Sequence, residues 1–556
     1  MGRSDRNALS RRGLLAAAGA AVGLPGTLGA ARAASATTGA QVGAGDRRGA
    51  PAAESEAFGP VVVDPADSRY ESLLRGNNFR FVGAPEEIRV LGSTAQVVRA
   101  VSDAVRSGRR VAVRSGGHCF EGFTADPGVR LLLDLSPMDA VGFDAERGAF
   151  AVQPGAVLGR VYRRLFTGWG VTIPAGGCPD VGAGGHLSGG GYGPLSRRYG
   201  SVVDHLYGVE VVVVDLDGTV RPVVATREPD DPNRDLWWAH TGGGGGNFGV
   251  VTRYWLRSPS ATGTDPAHLL PQAPRELLAR LVTWAWDERM TEQAFSTLLR
   301  NFGTWHESNS APGSPNAGLY AIFEPAHRSA GSFRLTVRID GDLPGADRLV
   351  SGFVDAVTAG SGVTPTLDVR ERMPWLHPTT WPGTGESGDL VTRRYKGKAG
   401  YLRRSFTDRQ LASIYRHLTN STGGPTGGML IVGYGGQVNA VDPSATAVAQ
   451  RDAVMKAVYH TVWADEGDDE ANLSWIRAFY REVYADTGGV PVPGEVSDGS
   501  YINYPDTDLA DPAWNTSGVP WHQLYYRQNY PRLQQVKARW DPRDVFRHAL
   551  SIEPPA

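Results

Sequence analysis

Cysteine is scarce in this chain of 556 residues, which contains only Cys119 and Cys178. Two cysteines cannot build the disulfide framework on which small secreted folds depend, so each of them needs its own explanation. The chain also has no large excess of charge of either sign, because its 56 Lys and Arg residues nearly balance its 58 Asp and Glu residues, which gives a net charge of −2. The chain therefore has no basic field with which to hold nucleic acid or an anionic membrane surface.

Long apolar runs are absent too, and the stretch LLAAAGAAVGL near the N-terminus is too short and too rich in Ala and Gly to span a membrane stably. It follows the pair Arg11-Arg12 and precedes the small-x-small sequence Ala31-Arg32-Ala33. This pattern predicts a twin-arginine signal over residues 1–33, with residues 34–57 as a flexible linker. We therefore expect a secreted protein without a membrane anchor, exported in folded form by the twin-arginine machinery.

The length exceeds what one ordinary core requires and predicts at least two domains. Between residues 58 and 258, short apolar segments alternate with a helical stripe and long glycine loops, which predicts an α+β domain. Helices are expected at 94–106 and 157–166, and strands at 110–114, 131–135, 209–214 and 250–256. Asp217-Gly218 predicts a hairpin turn after the strand at 209–214.

The pattern changes after Ser258, and residues 259–485 predict a second α+β domain. Helical patterns are read at 275–286 and 411–418, and strands at 333–339 and 455–463. Residues 486–556 contain the loop GSYINYPDTDLAD and a predicted helix at about 521–540.

Glycine is abundant, with 71 residues concentrated in loops rather than repeated periodically. Gly244, Gly246 and Gly249 formally match G-x-G-x-x-G, but the following VVTRYWLR predicts a strand where the dinucleotide fingerprint requires a helix. A Rossmann domain is thus disfavoured. No phosphate loop and no His/Cys cluster at metal-ligand spacing is present, so we expect no metal site. Three glycine loops, RSGGHC, the loop around Cys178 and TGGGGGNFG, suit one large dinucleotide approached from several sides.

Two reactive side chains, His118 and Cys178, each lie inside one of these loops. A lone loop histidine is usually a hydrogen-bonding side chain, and a lone cysteine is usually a small buried thiol. Their occurrence together, each in a glycine setting, indicates a shared function.

The chain resembles the berberine-bridge-enzyme-like flavin oxidases of the vanillyl-alcohol-oxidase (PCMH-type FAD) superfamily, most of all the antibiotic-tailoring oxidases of actinomycetes. The resemblance is carried by RSGGHCFEG (114–122), PAGGCPDVGAGGHLSGGGYGPLSRRYG (174–200), GGGGGNFGVVT (242–252), YINYPDTDL (501–509) and YPRLQQVKARWDPRDVF (530–546). It implies an α+β fold with a PCMH-type FAD-binding domain of two α/β subdomains at 58–258. It also implies a substrate-binding domain at 259–485 and a C-terminal segment, 486–556, that completes the FAD domain.

The resemblance further implies FAD held by two covalent bonds, one from His118 to the 8α-methyl group and one from Cys178 to C6. Such a double tether raises the redox potential of the flavin and leaves the substrate cleft open. Cys119 stands where the family usually has serine, and we expect it to pack. The implied cofactor-binding residues are Arg114, Ser115, Gly116, Gly117, Cys119, Gly182, Gly185, His186, Gly190, Val250, Asn503 and Tyr504.

Oxidation of an alcohol needs a base for the hydroxyl proton while hydride leaves the carbon. The resemblance assigns that base to Tyr501 of the Y-x-N motif and a second active-site tyrosine to Tyr192. It also suggests that Tyr459 lines the substrate site, on the strand that faces the flavin. The expected reaction is oxidation of a secondary alcohol on a deoxysugar or polyketide, with O2 reduced to H2O2 and a desaturation as an optional second step.

Three other interpretations stay open from the sequence. The chain could be an oligosaccharide oxidase that forms a lactone at C1, or a flavin dehydrogenase that passes electrons to a quinone or protein. A flavin-free binding protein on the same scaffold is disfavoured because both tether residues are present.

Overall fold

The computed structural model describes residues 57–380, 393–420 and 425–555. The predicted export signal lies outside the described residues. The strands are β1 Val61–Val63, β2 Glu87–Val90, β3 Val111–Arg114, β4 Leu131–Asp134, β5 Val141–Asp144, β6 Ala149–Val152, β7 Leu206–Val214, β8 Val220–Thr226, β9 Val250–Leu256, β10 Glu276–Ala285, β11 Tyr320–Glu324, β12 Ser332–Asp340, β13 Leu367–Pro374, β14 Arg394–Leu402, β15 Gly427–Gly433 and β16 Met455–Trp463. The helices are α1 Tyr70–Leu74, α2 Thr94–Ser107, α3 Leu158–Trp169, α4 Ala183–Ser188, α5 Ser196–Tyr199, α6 Arg234–Ala239, α7 Glu292–Asn309, α8 Ala346–Thr358, α9 Leu376–Thr380, α10 Asp408–Thr419, α11 Asp469–Val483, α12 Trp521–Tyr526 and α13 Tyr530–Trp540.

The N-terminal part contains two sheets. The first has the order β1-β2-β4-β3, in which β2 and β3 both run parallel to β4, with α2 as the crossover helix. Ser93 caps α2 by accepting a hydrogen bond from the Gln96 amide, and Gly108 ends the helix in the left-handed conformation. The second sheet, β5-β6-β9-β7-β8, is antiparallel throughout. Because β3 ends at Arg114, the RSGGHC loop leaves the carboxyl edge of the parallel strands.

The third sheet is seven-stranded, with the order β13-β10-β12-β11-β15-β16-β14. On one face, Trp284, Phe323 and Phe333 pack against Phe295 and Phe302 of α7. The opposite face carries Tyr320 towards the glycine loops of the N-terminal part. This combination of parallel and antiparallel sheets with helices on one face confirms the predicted α+β fold class.

The structure corrects two predicted helices. Residues 275–286 form strand β10, because their apolar positions fit either period and the segment finds hydrogen-bonding partners on both sides, in β12 and β13. The helix expected at 521–540 is divided into α12 and α13, since Arg527 adopts a positive φ of 50° and interrupts the helical hydrogen bonds.

The C-terminal segment returns to the N-terminal part. Tyr526 donates a hydrogen bond of 2.9 Å to the carbonyl oxygen of Gly243, and Lys537 donates one of 3.0 Å to that of Asn247. Both carbonyls belong to the five-glycine loop, so the last helices fix that loop in place. Within the described ranges, no helix combines the length and apolar character that crossing a membrane requires.

Candidate active site

One cavity of about 390 Å³ brings the sequence motifs together. Its lining comes from all three glycine loops, from the YINYP segment and from residues 546–548 near the C-terminus. The predicted site residues that line it are Arg114, Ser115, Gly116, Gly117, His118, Cys119, Cys178, Gly182, Gly185, His186, Tyr192, Val250, Tyr501, Asn503 and Tyr504. Segments separated by hundreds of residues thus form one site.

The first two glycine loops touch where Gly116 meets Gly182. A Cβ built on either glycine would lie only 2.8 Å from the Cα of the other, and closer still to backbone nitrogen. Ser115 reinforces the contact by donating a hydrogen bond of 2.5 Å to the carbonyl oxygen of Pro154. This close approach brings the loops that carry His118 and Cys178 to the same cavity.

Arg114 lines the cavity, but its guanidinium is engaged by the protein. It forms a buried ion pair with Asp134, with nitrogen–oxygen distances of 2.6 and 3.0 Å. Because β3 and β4 are neighbours and Arg114 is opposite Asp134, this pair fixes the end of β3 from which the histidine loop begins.

The two cysteines have different settings, although neither forms a disulfide. Burial raises the pKa of the Cys119 thiol to about 12, so that this thiol stays protonated and unreactive at neutral pH. This agrees with the packing role expected for it. Cys178 lines the cavity from its own glycine loop.

His186 acts within its own loop. Its Nε2 accepts a hydrogen bond of 3.0 Å from the Gly176 amide, and burial lowers the pKa of the ring to about 4. A Cβ on Gly191 would lie 2.7 Å from Cε1 of the ring, so glycine is needed there. The neutral ring thus connects the two ends of the cysteine loop.

Three tyrosines of the cavity lining contact one another. The hydroxyl groups of Tyr192 and Tyr504 share a hydrogen bond of 3.1 Å, and the ring centroids of Tyr192 and Tyr501 lie 5.5 Å apart. Tyr504 also stacks on Phe120, two residues after His118, at 5.1 Å. The Tyr504 amide bonds to the Tyr501 carbonyl, so the YINY segment is a turn rather than the strand that its alternating aromatics would permit.

Sequence reasoning missed Lys456. This side chain on β16 is 1 % exposed, and its ammonium lies 3.5 Å from the ring centroid of Tyr192 and 3.7 Å from that of Tyr501. Within the described part of the chain its Nζ has no hydrogen-bond partner. Burial lowers the pKa of Lys456 well below its ordinary value, with Arg451 acting in the same direction. The sequence did offer one indication of this residue, namely that a lysine lies in the strand predicted to face the site.

Tyr459, suggested as a substrate-lining residue, is on the wrong face of that strand. It is fully buried and packs edge-on against Phe479 and Tyr480 of α11. Side chains alternate along a strand, so Lys456 and Tyr459 point to opposite faces. Gly190 also lies off the cavity lining, where a Cβ would collide with Val448.

The residues present fit FAD. Gly244, Gly246 and Gly249 have φ values of 88°, 76° and 151°, which expose backbone amides to the cavity without side chains. His118 and Cys178 supply nucleophilic atoms to the lining, and Tyr192, Tyr501 and Tyr504 supply phenols. Such a cavity suits a large dinucleotide and leaves polar groups for a substrate.

Comparison with known proteins agrees with this geometry. Residues 85–223 match the FAD binding domain family, and residues 500–553 match the berberine and berberine-like family. The fold and the cavity therefore define an FAD-linked oxidoreductase, as the sequence motifs predicted. The chain belongs to the berberine-bridge-enzyme-like family of these enzymes.

Three similar proteins illustrate the relationship. The aclacinomycin-N/aclacinomycin-A oxidase of Streptomyces galilaeus is 53% identical over 540 residues, which cover 95% of this chain and 98% of the relative. The crystal structure of aclacinomycin oxidoreductase superposes with a TM-score of 0.86 at 55% identity, covering 89% of this chain and 100% of that one. A glycopeptide hexose oxidase solved with teicoplanin gives a TM-score of 0.86 at 51% identity, covering 90% and 99%.

Proposed function

We propose that this FAD-linked oxidase converts a secondary alcohol, on a deoxysugar or polyketide of an exported antibiotic, into a ketone. The observation that carries the proposal is that Tyr192 and Tyr501, both in contact with the buried Lys456, line the same cavity as the loops of His118 and Cys178. The similarity of this chain to an oxidase of aclacinomycins supports the proposed substrate class. The chemistry that bound FAD would supply is an acceptor for hydride from the carbinol carbon, with O2 as the final acceptor of the electrons and H2O2 as its product.

His118 and Cys178 would hold the cofactor covalently, through the 8α-methyl group and C6 respectively. In support, both side chains line one cavity, and the contact between Gly116 and Gly182 keeps their loops together. Two tethers would keep the cofactor in place without enclosing it, which leaves room for a bulky substrate.

Tyr501 would be the base of the first oxidation. Burial raises the pKa of its phenol well above the ordinary value, and burial equally disfavours the ammonium of Lys456. Either charge alone is costly, but a phenolate beneath an ammonium is a neutral pair. With the Lys456 nitrogen 3.7 Å from the Tyr501 ring centroid, the two charges would form together when the base is needed.

Tyr192 would serve a second oxidation that desaturates the ketone. The centroid of its ring lies 3.5 Å from the Lys456 nitrogen, and its hydroxyl shares a hydrogen bond with that of Tyr504. This arrangement provides a second phenol near the same cation, with the Tyr504 hydroxyl to donate a hydrogen bond to its oxygen once the proton is lost.

Oxidation of a sugar at C1, to a lactone, is the alternative that the likeness to a glycopeptide hexose oxidase supports. An oxygen-consumption and peroxide screen would compare glycosylated polyketides, aglycones and free sugars. We expect peroxide with glycosylated polyketides and a ketone on mass spectrometry. Lactone formation from free sugars would identify the alternative, and turnover only with a quinone or protein acceptor would identify a dehydrogenase.

Export by the twin-arginine route is part of the proposal. Arg11→Lys with Arg12→Lys should retain the protein inside the cell, because that machinery reads the arginine pair. Processed, flavin-bearing double variant in the medium would show that another route is used.

A further inference from the structure

Asn503 makes two hydrogen bonds from one nitrogen. Its Nδ2 donates to the carbonyl oxygen of His186 and to the phenolic oxygen of Tyr501, at 2.9 Å in each case. A carbonyl oxygen can only accept, so the contact with His186 fixes which end of the amide is the NH2 group. The other hydrogen of that group therefore points to Tyr501.

This geometry determines what the Tyr501 oxygen can do. Since that oxygen accepts a hydrogen bond from Asn503, its own hydrogen must be directed elsewhere. When the hydrogen is lost, the donor from Asn503 remains in place and stabilises the phenolate. Asn503 thus favours the ionised form and fixes the direction from which Tyr501 takes a proton.

Gly189 independently marks the space that Asn503 needs. A Cβ on Gly189 would lie 2.8 Å from Nδ2 of Asn503 and would overlap the rest of the amide. The φ of Gly189 is −99°, a value open to any residue, so only the space requires glycine here. The end of α4 is therefore shaped around the Asn503 amide.

We propose that Asn503, admitted by Gly189, is a positioning residue that holds Tyr501 ready to act as the base. The proposal rests on the proposed function of Tyr501. The proposal adds that Asn503 sets the orientation and the proton affinity of the Tyr501 hydroxyl. It also explains why residue 189, in the sequence SGGG, is glycine.

Other ionisable groups also face Tyr501 and would influence its titration. The ammonium of Lys456 lies over its ring, and the remaining neighbours are the phenols of Tyr192, Tyr401, Tyr434 and Tyr504. The phenols disfavour a second negative charge, whereas Lys456 favours it. A test of Asn503 must therefore keep Lys456 and all four tyrosines intact.

The test is the pH dependence of flavin reduction in the holoenzyme, mixed anaerobically with substrate. Asn503→Leu keeps the branched shape of the side chain but has no donor. We expect reduction at neutral pH to slow about 10- to 100-fold, as loss of a hydrogen bond to a charged group predicts, and to recover as pH rises. Gly189→Ala should shift the profile in the same direction, while Gly352→Ala, on a helix with open space around the glycine, should not.

The double variant Asn503→Leu, Tyr501→Phe separates the possible outcomes. If Asn503 acts through Tyr501, it adds no further loss to Tyr501→Phe. A pH profile like that of the wild type in Asn503→Leu would overturn the proposal. So would a loss of rate that is equal at every pH and adds to the loss in Tyr501→Phe. Neither result would affect the proposed role of Tyr501 as the base. Normal reduction in Tyr501→Phe alone would instead remove the proposed function. If Asn503→Leu does not fold, the profile of Gly189→Ala decides in the same way.

Discussion

Gly116 and Gly182 lie back to back, so close that a Cβ on either would lie 2.8 Å from the Cα of the other. They belong to loops far apart in the chain, and their contact joins the loop of His118 to the loop of Cys178. Neither has a positive φ, so the requirement for glycine is steric.

Gly116→Ala should therefore separate the two loops and impair covalent flavin attachment. We expect the purified variant to release a large part of its flavin on acid denaturation, whereas wild type retains it. Gly168→Ala, in α3 with nothing within 4 Å of its Cβ position, is the matched control and should retain flavin fully. Unchanged attachment in Gly116→Ala would show that the contact is dispensable.

The two proposed tethers can be counted separately. In His118→Ala and Cys178→Ala, one covalent bond should remain, and in the double variant none. Peptide mapping by mass spectrometry after acid denaturation would locate each flavin-bearing peptide. Complete release of flavin from the wild-type protein would contradict the proposal of covalent attachment.

Tyr501→Phe should slow anaerobic flavin reduction by about 10²- to 10⁴-fold, the usual effect of losing a general base, with both tethers intact. The ring still packs, so substrate binding should change little. Tyr192→Phe is the matched variant, and we expect it to spare the first oxidation and to reduce the second. Rapid-mixing absorbance measures the first step, and product analysis measures the second. Near-normal reduction in Tyr501→Phe would exclude it as the base.

Lys456→Met should shift the pH profile of flavin reduction, so that the reaction requires a higher pH than in the wild type. The base acts in its deprotonated form, so activity is present above its pKa and is lost as pH falls. Removing the cation from the ring raises that pKa further, and the loss then begins at a higher pH. An opposite charge at this distance shifts a pKa by about 1–3 units, which predicts a 10- to 1000-fold slower reduction at neutral pH. The same substitution in a Tyr501→Phe background should add little; an unshifted profile would contradict the charge pairing.

A buried ion cluster joins the histidine loop, the third sheet and the C-terminal segment. Lys396 of β14 contacts Glu121 and, at 2.7 Å, Asp506, while Lys398 lies 2.6 Å from Asp506 and 2.7 Å from Asp508. Burial alone would lower the pKa of Lys396, but Asp506 and Glu121 raise it above its ordinary value. Lys396 therefore keeps its charge at neutral pH despite its burial.

Lys396→Met would leave the buried Glu121 without its lysine partner and Asp506 with Lys398 alone. Removing one partner of a buried ion pair typically costs about 3–5 kcal/mol. We expect a clear fall in Tm, measured by calorimetry on the holoenzyme. Arg300→Met breaks an ion pair to Asp408, whose carboxylate is 90% exposed, and should change Tm little. If Tm changes little in both variants, the cluster does not stabilise the packing of the three segments.

The pattern of the sequence predicted the α+β class, and the family resemblance carried by its motifs predicted FAD and most of the residues that line the cavity. Glycine spacing around His118 and Cys178 carries this information because backbone approach to a cofactor requires the absence of side chains, which is visible in the letters. The role of Lys456 was not visible in that way, because a lysine in a strand is usually solvated, and only the assembled sheet buries it against Tyr192 and Tyr501.

Register was likewise decided by tertiary structure. The sequence predicted the strand at 455–463, but which of Lys456 and Tyr459 faces the cavity depends on how the strand sits between β14 and β15, since neighbouring side chains alternate in direction. Residues 275–286 became β10 because two partner strands supply its hydrogen bonds. Local pattern thus determined the class of fold, and the motifs indicated the chemistry through the family they resemble, whereas long-range hydrogen bonding and burial determined which side chains meet.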